Sequence, residues 1–185
     1  DDGICMKGGA GAAGVKAGPC ENINIQDNTV YHAHGGFVIG SEFSGGMKNI
    51  VVRNNTFQGT DAGLRFKSAV KRGGKSENIY IDHIYMTDIT GDAITFETTY
   101  FDNHVGAKQQ AAPVKQEFLP DFQDIHISNV YVRGCKNGIV AHGAEGMIHD
   151  ITIKDSNIFY NKNAKDIDAA CKITLENVNF STFAK

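Results

Sequence analysis

Asn22-Ile-Asn-Ile-Gln-Asp27 decides the fold, because its pattern returns five more times along the chain. The further copies are Asn49-Ile-Val-Val-Arg-Asn54, Asn78-Ile-Tyr-Ile-Asp-His83, Asp124-Ile-His-Ile-Ser-Asn129, Asp150-Ile-Thr-Ile-Lys-Asp155 and Lys172-Ile-Thr-Leu-Glu-Asn177. Their starts are 27, 29, 46, 26 and 22 residues apart. Strict alternation of apolar and polar residues, rich in β-branched side chains, specifies strand and not helix. A second column runs between the copies: Gly3-Ile-Cys-Met-Lys7, Gly36-Phe-Val-Ile-Gly40, Gly63-Leu-Arg-Phe-Lys67, Ala93-Ile-Thr-Phe-Glu97 and Gly138-Ile-Val-Ala-His142. Each period therefore holds at least two short strands separated by Gly and Asn turns.

A repeat of this length, built of short strands, predicts an all-β, single-stranded, right-handed parallel β-helix. One coil cannot bury its inner face alone, but coils stacked ~4.8 Å apart share a continuous core. The pattern predicts one internal stack of Ile4, Phe37, Leu64, Ile94 and Ile139, and another of Met6, Ile39, Phe66, Phe96 and Ala141. Residues 1–185 then make one domain of six coils. The long spacing marks a loop insertion from Tyr100 to Asp121 that could wall a groove. A β-sandwich of hairpins is the competing fold. It needs Asn-Gly turns between paired strands, whereas Asn137-Gly138 leads into the repeated column. The polar column Asp27, Asn54, His83, Asn129, Asp155 and Asn177 reads as corner residues satisfying backbone groups, in preference to a ligand ladder.

Composition narrows function. The 185 residues carry a net charge of −3 and 41% hydrophobic residues, which describes a folded chain without the basic footprint of a nucleic-acid binder. No apolar run reaches the ~20 residues of a membrane-spanning helix, so no membrane partner is expected. Cys5, Cys20, Cys135 and Cys171 form no close Cys-x-x-Cys pair, which argues against a zinc ribbon. Their pairing stays open.

Register locates the chemistry. Outward positions alternate with buried ones, so Cys5, Lys7, Val38, Gly40, Arg65, Lys67, Thr95, Glu97, Val140 and His142 are expected to face solvent. Asp1, His34 and Asp61 share that parity, two residues before each column glycine. Asp1 and His34 should be neighbours on adjacent rungs, with Arg65 and Lys67 one rung beyond. An acid pair, a histidine and two cations on one face suit acid–base chemistry on an anionic substrate. Lys71, Arg72 and Lys75 add a local basic patch.

Three motifs carry a resemblance: Asp1-Asp2-Gly-Ile4, His34-Gly-Gly-Phe-Val-Ile-Gly-Ser-Glu42, and Gly59-Thr-Asp-Ala-Gly-Leu-Arg-Phe-Lys-Ser68. In this order and spacing they resemble glycoside hydrolase family 28, the polygalacturonases, and most strongly its bacterial exo-acting branch. The resemblance implies the pectin-lyase-like β-helix and inverting hydrolysis of α-1,4-linked galacturonan. It makes Asp1 the general acid, Asp2 a carboxylate that activates water, and His34 their support. Arg65 and Lys67 would hold a galacturonate carboxylate, Tyr100 would line the groove, and Glu42 would meet sugar hydroxyls. No metal or other cofactor is implied, and the partner is an acidic polysaccharide or oligogalacturonide. A polymer substrate implies a secreted or periplasmic enzyme of pectin degradation.

The family also carries a catalytic Asp in an Asn-Thr-Asp motif upstream of the pair. By that comparison the chain reads as a C-terminal portion, truncated at its N-terminal end, weak or inactive alone, with an open coil end through which copies could self-associate. Alternatives are a rhamnogalacturonan or xylogalacturonan hydrolase, and a non-catalytic carbohydrate-binding or structural β-helix. A pectate lyase would need calcium ligands and an arginine base.

Overall fold

The computed structural model describes residues 1–100 and 117–182. Most of the proposed insertion, residues 101–116, lies outside the described residues. The strands are β1 (Ile4–Met6), β2 (Cys20–Gln26), β3 (Thr29–Tyr31), β4 (Gly35–Ser41), β5 (Met47–Gln58), β6 (Ala62–Ser68), β7 (Ser76–Thr87), β8 (Asp92–Glu97), β9 (Ile125–His142), β10 (Ile151–Ile167) and β11 (Ile173–Thr182). All pairings among them are parallel. That excludes the hairpin sandwich and establishes a parallel β-helix.

The repeat copies stack in register: Ile23 pairs with Ile50, Ile50 with Ile79, Ile79 with Ile125, Ile125 with Ile151 and Ile151 with Ile173. The second column does the same through Ile4, Phe37, Leu64, Ile94 and Ile139. Beside it run Met6, Ile39, Phe66, Phe96 and Ala141. Inside the coil, Phe66 and Phe96 stack at 4.4 Å between ring centroids, with the Phe122 ring meeting both edge-on. Both internal stacks follow from the period-2 pattern, because a parallel rung repeats the facing of the rung before it.

The corners explain the polar columns. Asn22, Asn49, Asn78, Asp124 and Asp150 have φ of 52–60°, and Asp27, Asn54, His83, Asn129, Asp155 and Asn177 have φ of 49–61°. This left-handed region clashes with most Cβ atoms, and short polar side chains enter it because they bond locally. Here they bond along the stack: Asn49 Nδ2 donates to Asn22 Oδ1 at 2.9 Å, and Asn177 Nδ2 donates to Asp155 Oδ1 at 2.8 Å. The corner positions are as expected, but the column from Asp27 to Asn177 bonds to neighbouring side chains and not to backbone groups.

One element has no counterpart in the strand pattern. Residues Gly11–Ala17 form a short helix, α1, closed by Gly18 at φ 87°. A Gly- and Ala-rich stretch has no apolar periodicity to announce a helix. Glycines allow its tight packing: a Cβ on Gly14 would lie 2.6 Å from the Gly9 carbonyl carbon, and one on Gly45, in the turn after β4, 2.3 Å from the Gly18 oxygen.

Candidate active site

The strands β1, β4, β6 and β8 lie side by side and present their outward residues as a grid. One column runs Cys5, Val38, Arg65, Thr95, and the next runs Gly40, Lys67, Glu97. Beside the strand starts, the backbone N–H of His34 donates to Asp1 O at 3.0 Å, and Ala62 N–H donates to His34 O at 3.0 Å. Asp1, His34 and Asp61 therefore occupy successive rungs, as their shared parity requires. A cleft of about 800 Å³ opens over this grid, lined by Asp1, Asp2, His34, Arg65, Lys67 and Tyr100 among others.

Two glycines make room for it. A Cβ on Gly35 would lie 2.4 Å from Val38 Cγ2 and 3.3 Å from Asp2 Oδ1, and one on Gly36 would lie 2.3 Å from Phe57 Cγ. The Gly35-Gly36 segment thus passes between the core and the acid pair only because it lacks side chains. Its sequence pattern is a packing requirement.

Asp1 is exposed, while the Asp2 side chain is only 6% exposed. A carboxylate oxygen of each and an imidazole nitrogen of His34 lie within 4.8 Å of one another. Asp2 faces two cations. Lys67 Nζ donates to Asp2 Oδ2 at 2.7 Å, and Arg65 Nη1 stands 3.6 Å from Asp2 Oδ1. That Oδ1 is buried without a hydrogen-bond partner among the described residues. A buried acceptor left unpaired is costly, and the Arg65 guanidinium is the nearest charge that offsets it. The three groups are close enough to share a cation, but the positive charge facing Asp2 already comes from the chain's own Lys67 and Arg65.

Tyr100 closes the opposite side. Its ring centroid is 5.4 Å from Arg65 Cζ and 4.8 Å from Lys67 Nζ, a cation–π arrangement that holds both side chains in the cleft. Asp1, Asp2, His34, Arg65, Lys67 and Tyr100 are thus brought together.

One reading needs correction. Val38, Gly40 and Lys67 have outward parity but are buried, Lys67 beneath Asp2 and the Tyr100 ring. Asp1 and Asp2 are consecutive residues leading into one strand, and a carboxylate oxygen of each lies within 4.8 Å of the other. Glu42 is bound at the rim, accepting from Lys7 Nζ at 2.7 Å with Arg72 Nη1 at 3.6 Å. Burial alone would raise the Glu42 carboxyl, but the hydrogen bond and charge of Lys7 outweigh it and hold it below its ordinary value.

Asp92 and Ser41 also line the cleft and were not among the expected site residues. Asp92 pairs with Ala62 across the rung, a register that the column alignment could have supplied. The Cys5 thiol borders the same cleft, donating to Gly40 O at 3.3 Å, and burial pushes it above its ordinary value, so it is protonated and unreactive at neutral pH. All four cysteines are free.

Comparison with known proteins agrees with this construction. The family Glycosyl hydrolases family 28 matches residues 1–175. The chain is 30% identical over 133 residues to an exo-poly-alpha-D-galacturonosidase of Dickeya chrysanthemi, covering 72% of this chain and 21% of that protein. It is 31% identical over 143 residues to a polygalacturonase of Ralstonia solanacearum, covering 75% and 23% respectively. The chain thus spans less than a quarter of the length of these curated relatives. Among solved structures, a hyperthermoactive exopolygalacturonase from Thermotoga maritima superposes with a TM-score of 0.83 at 30% identity, over 98% of this chain and 39% of that one. A family 28 exopolygalacturonase from Yersinia enterocolitica shares the fold, with a TM-score of 0.60 at 20% identity over 96% of this chain and 35% of its own. With its fold shared and nearly its whole length matched, the chain belongs to glycosyl hydrolases family 28.

Proposed function

We propose that this chain forms part of a pectin-degrading enzyme that hydrolyses α-1,4-linked galacturonan with inversion. The observation that carries the reading is the meeting of the Asp1–Asp2 pair with the Arg65 guanidinium in one cleft. Asp1, exposed to the cleft and backed by His34, is placed to protonate the leaving oxygen. Asp2, the buried member of the pair, is assigned the acceptance of a proton from water by the family likeness. Arg65 is available to form a charge-assisted pair with a sugar carboxylate. A polymer of this kind is met outside the cytoplasm, so secreted or periplasmic action belongs to the same proposal.

Inversion rests on the family likeness and not on the spacing of Asp1 and Asp2. The product settles it. Polygalacturonate is incubated with the enzyme carrying this chain, and the new reducing end is followed by proton NMR before mutarotation. Inversion of an α-linkage gives the β-anomer first. An α-anomer appearing first would overturn the mechanism, and an unsaturated product would replace hydrolysis with elimination.

A further inference from the structure

A second cleft lies over the outward residues of β7, β9, β10 and β11 and shares no lining residue with the first. Its volume is about 450 Å³, within the usual range of ligand sites. Register explains why the surface drops there. One outward column runs Val51, Tyr80, His126, Thr152 and Thr174. The Tyr80 and His126 rings stack along it, 5.0 Å between centroids and 25° apart. His126 Nε2 lies 2.9 Å from Asp124 Oδ1, a contact that orients the imidazole. On the next rung the side chain shrinks to Thr152, too short to cover the other face of the ring, and the cleft opens over it.

The neighbouring column, Asp82, Ser128, Lys154 and Glu176, supplies the charge. Asp82 is already satisfied: its Oδ1 accepts from Ser128 and Asn129, both at 2.7 Å, and its Oδ2 contacts His83. Lys154 and Glu176 are exposed, and neither enters an ion pair within 4.0 Å among the described residues. A free cation and a free acceptor thus stand beside an open aromatic face.

Building on the acidic-sugar reading above, we propose that this cleft is a second glycan site, holding one uronic acid unit of the same polymer apart from the first cleft. The C–H face of the sugar packs on the His126 imidazole, Lys154 receives its carboxylate, and Glu176 accepts from its hydroxyls. A uronic acid carries an apolar face, a carboxylate and hydroxyl donors on one ring. A neutral sugar would leave Lys154 unmatched, and an apolar partner would bury two charges without partners. Exposed Lys and Glu neighbours gain under about 1 kcal/mol from each other, so little holds either back from a ligand. A polymer tethered here meets the first cleft at a raised effective concentration.

Proton NMR reads each cleft through its own histidine. Trigalacturonate and its fully methyl-esterified form are titrated at pH 7 into the wild-type chain and Lys154→Met, with ring signals assigned from His34→Asn and His126→Asn. The expected result is a saturable shift of the His126 and Tyr80 signals, about fivefold weaker in affinity for the ester and for Lys154→Met. The His34 titration should be the same in wild type and Lys154→Met. If His34 responds while His126 and Tyr80 do not, the second site is overturned and the acidic-sugar reading stands. Equal affinity of acid and ester at His126 would overturn the part given to Lys154. Signals of His126 and Tyr80 that move on concentrating the chain without sugar would give this face to a second copy and overturn the proposal. Silence at both histidines would remove the acidic-sugar reading and the second site together.

Discussion

The His34 imidazole stands 4.0 Å from the Asp1 carboxylate because the His34 backbone N–H donates to the Asp1 carbonyl oxygen at 3.0 Å. Main-chain pairing between rungs makes this contact, so the ring can be removed without disturbing what places it. His34→Ala should leave the unfolding free energy within about 0.5 kcal/mol, as for other exposed positions. Under the proposed function, reducing-end release from polygalacturonate should fall about 100-fold, the usual worth of acid–base support. A lower melting point with unchanged turnover would make His34 a structural corner residue.

Gly36→Ala should be far more damaging than its size suggests. The added methyl would overlap the Phe57 ring, which is fully buried and has no space to yield. Overpacking of this kind costs about 1–3 kcal/mol, measurable as a reduced urea midpoint. Unchanged stability would mean that the rung shifts outward, and the Asp1–His34 contact should then be lost in the variant's structure.

How far the sequence carries can be judged from single residues. Ile4, Phe37 and Leu64 were placed correctly in one stack because inward facing is dictated by period-2 alternation, which a parallel coil preserves from rung to rung. The same parity put Asp1 beside His34. It misjudged Lys67, since parity states which side of the sheet a residue leaves from, not what then lies over it. Asp2 and Tyr100 come from other rungs and from a loop, and their reach across the face is a tertiary fact. Helix α1 escaped for the opposite reason: its Gly and Ala residues carry no pattern at all.

Asn49 tests the corner argument. It sits at φ 55°, donates to Asn22 at 2.9 Å and accepts from Asn78 at 2.6 Å. Asn49→Ala keeps the strained backbone and loses both bonds, so it should cost about 1–2 kcal/mol. Asn49→Gly relieves the backbone and should recover part of that loss. If glycine is no better than alanine, backbone conformation is not what selects asparagine there.

Asp82 gives the fold a dependence on acid. Burial would raise its carboxyl, but hydrogen bonds from Ser128 and Asn129, with His83 beside it, bring it down to about 2 from an ordinary 3.8. A carboxylate depressed by folding stabilises the native state above its unfolded value and loses that contribution as pH falls toward 2. The full shift corresponds to about 2 kcal/mol. At 40% exposure solvent screening reduces this to about 1 kcal/mol. Urea unfolding of wild type and Asp82→Asn should therefore differ by about 1 kcal/mol at pH 7 and nearly coincide at pH 2. A gap independent of pH would assign the loss to hydrogen-bond geometry and not to charge.

Tyr100 separates the work of a ring from the work of a hydroxyl. Its centroid lies 5.4 Å from Arg65 Cζ, so the ring face steadies a guanidinium that lines the cleft. Tyr100→Phe keeps that face, and trigalacturonate affinity should stay within about twofold of wild type. Tyr100→Ala removes it, frees Arg65 to sample other rotamers, and should weaken binding about three- to tenfold, the range of an exposed to half-buried cation–π contact. The loss should appear for acidic oligosaccharides and be small for neutral ones, because only the former use Arg65. If Tyr100→Phe binds as poorly as Tyr100→Ala, the phenol hydroxyl contacts the sugar directly and the wall of the cleft is polar at that point.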